Sequence, residues 1–291
     1  EYVAIEKENL KNRIESIIND KGRYAVERAR EEMFKNEKYG ISDLGYLEDI
    51  DKITAKGLYE HYVNIMKTSP IDIVVEGNFD EDEIVEIISN GFDFHRENII
   101  EIPRADFIKK VDEIKVIKEE MDITQGKLVM GYRCNVDYKD EFKYYSLFVG
   151  SNVLGGGPHS KLFVNVREKE SLCYYIYSSL EKYKTSMFIS SGIESENYDK
   201  TVELIGEQLK SLKEGKISDE ELLNSKSAII SSLKTIKDSL GGSSDFYFSQ
   251  SMGGTNTTVE KIIEMIEKVT VSDIVEAFKN IELDTIYFLS K

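Results

Sequence analysis

The sequence predicts an α+β fold, in which helices pack on one face of a largely antiparallel sheet. One observation behind this prediction is the order of elements: a few apolar strands, then several amphipathic helices, then a returning strand near the C-terminus. Another is that this order occurs twice, the first time incompletely, which predicts tandem repeats. With 291 residues, 41% of them hydrophobic, the chain can bury at least one sizeable core.

The repeat is visible by direct comparison. Residues 47–65, LEDIDKITAKGLYEHYVNI, match residues 263–281, IEMIEKVTVSDIVEAFKNI, at a constant offset of 216 positions. A long helical segment precedes each match, and a short apolar strand follows it, predicted at residues 71–77 and 284–290. A matched order of helix, cap, helix and strand favours duplication over chance.

The two copies differ in length. About a hundred residues, 113–213, precede the second match, and nothing corresponds to them before the first. We therefore predict the back half of a first repeat over residues 1–92, mostly helical with one strand, an ordered linker over 93–112, and a complete second repeat over 113–291. Because an exposed half-core is costly, the missing sheet is expected from a lost N-terminal segment or a partner chain.

The elements of the second repeat follow from local patterns. Alternating apolar residues over 127–133 predict a half-buried strand, and residues 173–180 and 186–193 predict two more around a turn at 181–185. A helix is predicted to start at Asp140 and to end at glycines 155–157, because glycine accepts positive φ. A short helix is predicted over 160–168, and a longer one has an apolar face from Val202 to Leu212. Two capping boxes are predicted at later helix starts, Ser218/Glu221 and Thr270/Asp273.

Composition excludes several classes of function. A net charge of −16 repels phosphate backbones and anionic membrane surfaces, so neither nucleic acid nor a membrane is an expected partner. The two cysteines, Cys134 and Cys173, are too few for a disulfide framework or a zinc knuckle. No apolar run approaches the ~18 residues of a membrane span. We expect a cytoplasmic protein, although a targeting segment lost from before Glu1 stays open.

The densest motif is residues 152–174, NVLGGGPHSKLFVNVREKESLCY. Its glycines lack the lysine spacing of a P-loop, so they predict a sharp turn and not a phosphate cradle. Arg167 and Tyr174 stand seven positions apart across a helix-to-strand turn. A guanidinium and a phenol can donate hydrogen bonds to a substrate carbonyl and to a developing oxyanion. Taken alone, the pair is weak evidence, because an arginine in a charged helix and a tyrosine in a strand usually have structural roles.

The three histidines form no recognisable metal or catalytic motif. His61, His95 and His159 have no partner at zinc-binding spacing, and the sequence HxxEH is absent. We interpret all three as structural, including His159 beside Ser160. The sequence therefore predicts no metal ligand within this chain.

The pattern LGGG, SKLF, VREK, SL and Tyr174 resembles the second, non-catalytic repeat of the pitrilysin or insulinase family of zinc peptidases, the inverzincins. The resemblance implies tandem pitrilysin-like repeats that enclose a chamber. It implies zinc on the first repeat, held by HxxEH and a later glutamate. It further implies that Arg167 and Tyr174 are the catalytic and substrate-binding residues that contact the substrate carbonyl.

The sequence departs from the family at the metal. The place of HxxEH lies before Glu1, and the later zinc glutamate aligns with Asn12 and Arg13, an arginine that would repel zinc. A shift of one helical turn would instead bring Glu8 or Glu15 into that position. The segment NRIESIINDKGRYA resembles bacterial members that have lost the zinc ligands and pair with an active homologue.

Three hypotheses follow from the resemblance. The first is a non-catalytic subunit, inactive alone, that completes a peptide-binding chamber as a homo- or heterodimer with a zinc-bearing family member. The second is a truncated active zinc metallopeptidase whose HxxEH segment is missing here. The third is a structural scaffold or assembly protein of the same fold. Under all three, zinc is expected only on a missing segment or a partner, and the substrate of the first two is a peptide.

Overall fold

The computed structural model describes residues 1–92, 96–104 and 107–291. The chain forms two compact units: unit 1 comprises Glu1–Ile14, Leu44–Arg104 and Lys234–Asn256, and unit 2 comprises Glu15–Asp43, Ala105–Leu233 and Thr257–Lys291. Each unit takes segments from both sequence repeats. The predicted boundaries at 1–92, 93–112 and 113–291 describe the repeat, and they stay a prediction; part of the predicted linker lies outside the described residues.

Regular structure within the described residues consists mainly of α-helices and one sheet. The helices are α1 Tyr2–Ser16, α2 Lys21–Met33, α3 Leu47–Ile50, α4 Ala55–Thr68, α5 Glu81–Gly91, α6 Glu141–Gly155, α7 Tyr198–Lys213, α8 Asp219–Thr235, α9 Leu240–Gly253, α10 Val259–Lys268 and α11 Val271–Phe278. The strands are β1 Lys115–Glu120, β2 Gly126–Arg133, β3 Cys173–Glu181, β4 Ser186–Ile193 and β5 Glu282–Ser290.

The sheet belongs to unit 2 and has the order β1-β5-β2-β4-β3. β1 and β5 run parallel, and every other neighbouring pair is antiparallel. The predicted α+β class is therefore confirmed. The strands predicted over 173–180 and 186–193 are confirmed to within one residue, since strong alternation with a turn between them is a local signal.

Helices cover both faces of this sheet. Ala25, Ala29 and Met33 of α2 pack against Val129 of β2 and Tyr287 of β5. Helix α6 lies on the opposite face, where it meets β3. Leu128 and Val129, which point to opposite faces, are 0% and 2% exposed. The strand predicted over 127–133 is confirmed as β2, but the prediction that it is half-buried was wrong, because α2 from the first repeat covers its second face.

The glycines after α6 act through close packing. Asp140 caps the start of α6 as predicted, accepting a hydrogen bond from the Lys143 backbone N–H. The expected positive φ at its end was wrong, since Gly156 has φ −84°. A Cβ on Gly155 would lie 2.5 Å from the backbone nitrogen of Ser178 in β3. Gly155 therefore lets α6 approach the sheet.

Both predicted capping boxes are confirmed. The Glu221 backbone N–H donates to Ser218 Oγ at 3.1 Å, and the Ser218 N–H donates to Glu221 Oε2 at 2.8 Å. Thr270 and Asp273 form the same reciprocal pair at the start of α11. Such caps satisfy backbone donors that the first helical turn leaves free.

The strand predicted at residues 71–77 is not formed. The segment is extended, but no backbone hydrogen bond joins it to another residue in the part of the chain that the structure describes. A strand needs a neighbour to pair its N–H and C=O groups. The adjoining helices α4 and α5 bury no residue within unit 1, and Tyr59 and Val85 are 68% and 57% exposed. Unit 1 therefore presents much apolar surface.

A buried ion network ties α2 to the sheet. The Arg133 side chain is 3% exposed, and its guanidinium lies 2.8 Å from Glu37 Oε1 and 3.0 Å from Asp284 Oδ2. Lys184 and Lys109 donate to Glu37 as well. Burial alone would raise the pKa of Glu37, but hydrogen bonds from Lys184, Lys109 and Arg133 outweigh it and lower the pKa to about 2.

Candidate functional site

The candidate site begins with a helical segment that carries Arg167. The predicted helix at 160–168 is confirmed as two helical residues followed by a π-helical stretch, Phe163–Lys169. Lys161, only 8% exposed, holds its start against α8 through both carboxylate oxygens of Glu221, at 2.8 and 3.1 Å. Arg167 is exposed, and its guanidinium carbon lies 4.6 Å from the centroid of the Phe163 ring. Stacking on this ring restricts the arginine side chain.

The turn between Arg167 and Tyr174 has an unusual backbone. Ser171 adopts φ +55°, a left-handed conformation that few non-glycine residues take. The β3–β4 ladder then shifts register, because Cys173 pairs with Ile193 and Tyr175 with Gly192. Tyr174 is the extra residue of this bulge. Bulges next to a site re-aim a side chain, and Tyr174 is 61% exposed.

The Tyr174 hydroxyl already has a partner. It donates a hydrogen bond to Glu194 Oε1 at 2.9 Å. That hydrogen bond and the charge of Glu194 raise the pKa of Tyr174, so the phenol stays a protonated donor. Sequence reasoning missed Glu194, since no pattern ties a residue 20 positions downstream to this hydroxyl.

The positive charge of Arg167 acts on Cys173, the residue before Tyr174 in the sequence. Burial raises the pKa of the neighbouring Cys173 thiol, while a hydrogen bond with Ser191 and the positive charge of Arg167 oppose that rise. The guanidinium thus exerts its field on the residue that immediately precedes Tyr174. That Arg167 and Tyr174 contact one substrate stays a prediction.

We expect substitutions of Ser171 to follow its backbone conformation. Ser171→Gly should leave the free energy of unfolding unchanged or raise it, because glycine accepts positive φ at no steric cost. Ser171→Val should lower it by about 1–2 kcal/mol, since a β-branched residue is strained there. Urea denaturation of both variants measures the difference, and equal midpoints would contradict the expectation.

Two of the three histidines lie within the described residues. His159 Nε2 lies 3.1 Å from Asn152 Oδ1, within the glycine-rich turn. His61 is exposed on α4. His95 lies outside the described residues.

The residues present do not fit the zinc that the family implies. Asn12, Arg13, Glu8 and Glu15 all lie exposed on α1. Across residues 1–92, 96–104 and 107–291, no three His, Cys, Asp or Glu side chains are grouped as a metal site, whereas zinc takes at least three protein ligands. Among the same residues, no helix is long and apolar enough to cross a membrane.

A family model described as "Peptidase M16 inactive domain" matches residues 52–229. The chain belongs to the M16 peptidase family. This is the pitrilysin and insulinase family that the sequence motif indicated, and the matched domain is an inactive one.

Relatives with the same M16 architecture are longer than this chain. "Probable inactive metalloprotease YmfF" of Bacillus subtilis (strain 168) is 37% identical over 99% of this chain and 67% of its own length. "Uncharacterized zinc protease YmxG" of the same strain is 25% identical over 82% of this chain and 58% of its own. The crystal structure of a conserved protein from Enterococcus faecalis V583 has TM-score 0.89 and 31% identity, over 99% of this chain and 68% of that one. The chain is therefore a homologue of M16 peptidases, and the part that the family model matches corresponds to the family's inactive domain.

Proposed function

We propose that this chain is a non-catalytic M16 subunit that contributes Arg167 and Tyr174 to a peptide site whose zinc is held by another polypeptide. One observation carries the proposal: the left-handed Ser171 and the bulge at Tyr174 leave the phenol exposed, seven positions after an exposed arginine. Costly backbone features of this kind cluster at functional sites.

The chemistry of the two side chains suits a peptide carbonyl. The guanidinium of Arg167 supplies a permanently charged donor, and the Tyr174 phenol supplies a neutral one. Together they would orient the carbonyl and favour negative charge on its oxygen. To do so, Tyr174 must exchange its hydrogen bond to Glu194 for one to the substrate. Zinc, when bound to the partner, would supply the Lewis acid.

The partner we propose is a zinc-bearing member of the same family, in a homo- or heterodimer. The names of two relatives from one Bacillus subtilis strain support a division into an inactive and a zinc-bearing subunit. YmfF is named a probable inactive metalloprotease, and YmxG is named an uncharacterized zinc protease. Cys134 and Cys173 are both buried and unbridged, which suits the reducing bacterial cytoplasm expected from the sequence.

The test is a mixing experiment. We expect peptide cleavage, read with an internally quenched fluorogenic peptide, only when this chain is combined with a zinc-bearing M16 homologue of the same organism. Arg167→Ala should lower kcat/KM of the mixture at least ~10-fold, because a charge-assisted hydrogen bond is lost, and Tyr174→Phe should lower it as well. Glu168→Ala, exposed on the same helical segment, is the matched control and should leave the rate unchanged.

Two outcomes would contradict the proposal. Stoichiometric zinc bound to this chain, together with cleavage by it alone, would support the truncated active peptidase. If the mixture cleaves the peptide and neither Arg167→Ala nor Tyr174→Phe changes the rate, the result would support the scaffold hypothesis. Analytical ultracentrifugation of each variant shows whether the two subunits still associate, so a failure of assembly is separated from a failure of chemistry.

A further inference from the structure

Glu194 has a fixed place beside Tyr174. It directly follows Ile193, the last residue of β4, which pairs with Cys173 across the ladder. The backbone of Glu194 is extended, with φ −72° and ψ 144°, and its carbonyl accepts a hydrogen bond from the Asn197 N–H at 3.0 Å. The main chain that carries this carboxylate is therefore held between a strand and a 3₁₀ turn.

The charge of the Glu194 carboxylate is not neutralised by the cation of the site. The side chain is exposed, and in the part of the chain that the structure describes it makes no ion pair. The Arg167 guanidinium stacks on Phe163 instead. Within the same residues, the partner of the Glu194 carboxylate is the Tyr174 hydroxyl, which donates to Oε1 at 2.9 Å.

This contact decides which substrate oxygen Tyr174 can serve. A phenol carries a single proton, so while Tyr174 donates to Glu194 it cannot donate to a substrate. A hydrogen bond to a carboxylate is roughly twice as strong as one to a neutral acceptor. A neutral peptide carbonyl is therefore a weaker acceptor than Glu194, whereas the oxyanion of a tetrahedral intermediate carries a comparable charge.

We propose that Glu194 is a positioning residue that reserves the Tyr174 hydroxyl for an oxygen with negative charge. The inference rests on the proposed function and adds a rule of selection to the same site. Arg167 orients the carbonyl of the bound peptide while Tyr174 keeps its hydrogen bond to Glu194. When the oxygen becomes anionic, the hydroxyl turns to it. The phenol then stabilises the transition state and not the ground state, which is the kind of interaction that accelerates a reaction.

A purely structural role for Glu194 would give a different result. If the carboxylate only fixed the Tyr174 ring, removing it would weaken the binding of every ligand that the phenol contacts. Under the proposal, removing it strengthens the binding of a ligand with a neutral carbonyl, because the freed phenol can donate to that oxygen.

The Kd values of two matched ligands for the assembled mixture test the inference. One ligand is a substrate peptide N-methylated at the scissile amide, which resists cleavage and keeps a neutral carbonyl. The other is the phosphinic peptide with the same side chains, whose anionic oxygens mimic the tetrahedral intermediate. Isothermal titration calorimetry measures both Kd values for each variant.

The two ligands should respond differently to the loss of the phenol. Tyr174→Phe should raise the Kd of the phosphinic peptide about 10-fold, because a charge-assisted hydrogen bond is lost, and should change that of the N-methylated peptide less than about 2-fold. Glu194→Ala should lower the Kd of the N-methylated peptide about 5-fold, since a neutral hydrogen bond is gained. Adding Tyr174→Phe to Glu194→Ala should cancel that gain.

Two control variants make the result specific. Glu196→Ala removes the same charge from an exposed position two residues further on and should leave both Kd values unchanged. Glu194→Gln keeps a neutral acceptor of the same shape, so its gain for the N-methylated peptide should be smaller than that of Glu194→Ala. Urea midpoints equal to that of the unsubstituted chain show that each variant is folded.

Either of two results would overturn the inference. One is a Tyr174→Phe variant that weakens both ligands equally. The other is a Glu194→Ala variant that gains no affinity for the N-methylated peptide, or whose gain survives Tyr174→Phe. In both cases Arg167→Ala would still lower kcat/KM, and the proposed function would stand. If neither Arg167→Ala nor Tyr174→Phe alters binding or cleavage, the proposed function fails and this inference fails with it.

Discussion

Replacing Arg133 with methionine is expected to lower the free energy of unfolding by about 3–5 kcal/mol, the range for breaking a buried ion pair from one side. Methionine fills much of the same volume but leaves Glu37 and Asp284, 12% and 10% exposed, without their central cation. The Met33 carbonyl also loses one donor, although Lys115 Nζ still donates to it at 3.3 Å. A shift of the urea midpoint, monitored by far-UV circular dichroism, measures the loss.

Lys115→Met is the matched control. Lys115 also pairs with Asp284, but at 3.9 Å and with its own side chain 43% exposed, so we expect a loss below ~1 kcal/mol. Equal losses from the two substitutions would show that the number of ion pairs, and not their burial, sets the stability.

The contribution of this ion network to stability should fall at acidic pH. The folded-state pKa of Glu37 is lowered from 4.5 to about 2, so the unfolded chain binds this proton first as the pH falls. The stability that Glu37 contributes is therefore full above about pH 4.5 and is lost toward pH 2. Arg133→Met should make that loss shallower, because one of the three hydrogen-bond donors that hold the pKa down is gone.

Gly155→Ala is expected to cost about 2–3 kcal/mol, at the upper end for overpacking a core. The added methyl would lie 2.5 Å from the Ser178 backbone nitrogen and 2.9 Å from its Oγ, so α6 and β3 must separate. Separation also strains the hydrogen bond from Ser178 Oγ to the Ser151 carbonyl, now 2.7 Å long. Thermal unfolding followed by calorimetry measures the cost.

Gly206→Ala supplies the opposite expectation. Gly206 lies exposed within α7, and a Cβ there would meet nothing within 4 Å. Alanine should therefore stabilise the protein by about 0.5–1 kcal/mol, by restricting the unfolded chain. A loss of stability at Gly206, or none at Gly155, would contradict the packing argument.

Local signals in the sequence predicted most regular elements of unit 2. Alternation with a turn identified β3 and β4, and capping residues identified the starts of α6, α8 and α11, because these features depend on residues a few positions apart. The same signals predicted β2 as a strand but gave its burial wrongly. Its second face is covered by α2, a helix about a hundred residues upstream that no pattern within the strand reveals.

The candidate site was predictable in composition but not in geometry. The motif named Arg167 and Tyr174, whereas the left-handed Ser171 and the bulge depend on how β3 meets β4. Arg133 and Asp284 are 151 positions apart, so only the folded chain shows that they pair. Residues 71–77 were predicted as a strand because their composition is typical of one. Composition carries no information on whether neighbouring strands are present to pair with it.

The composition of unit 1, which takes segments from both repeats, constrains the order of events at the ribosome. Synthesis proceeds from the N-terminus, and domains generally fold as their residues emerge. Unit 1 combines segments before residue 105 with Lys234–Asn256, so it cannot close until residue 256 has been translated. The helices α4 and α5 must therefore wait, with their apolar residues exposed to chaperones, while residues 105–233 are synthesised.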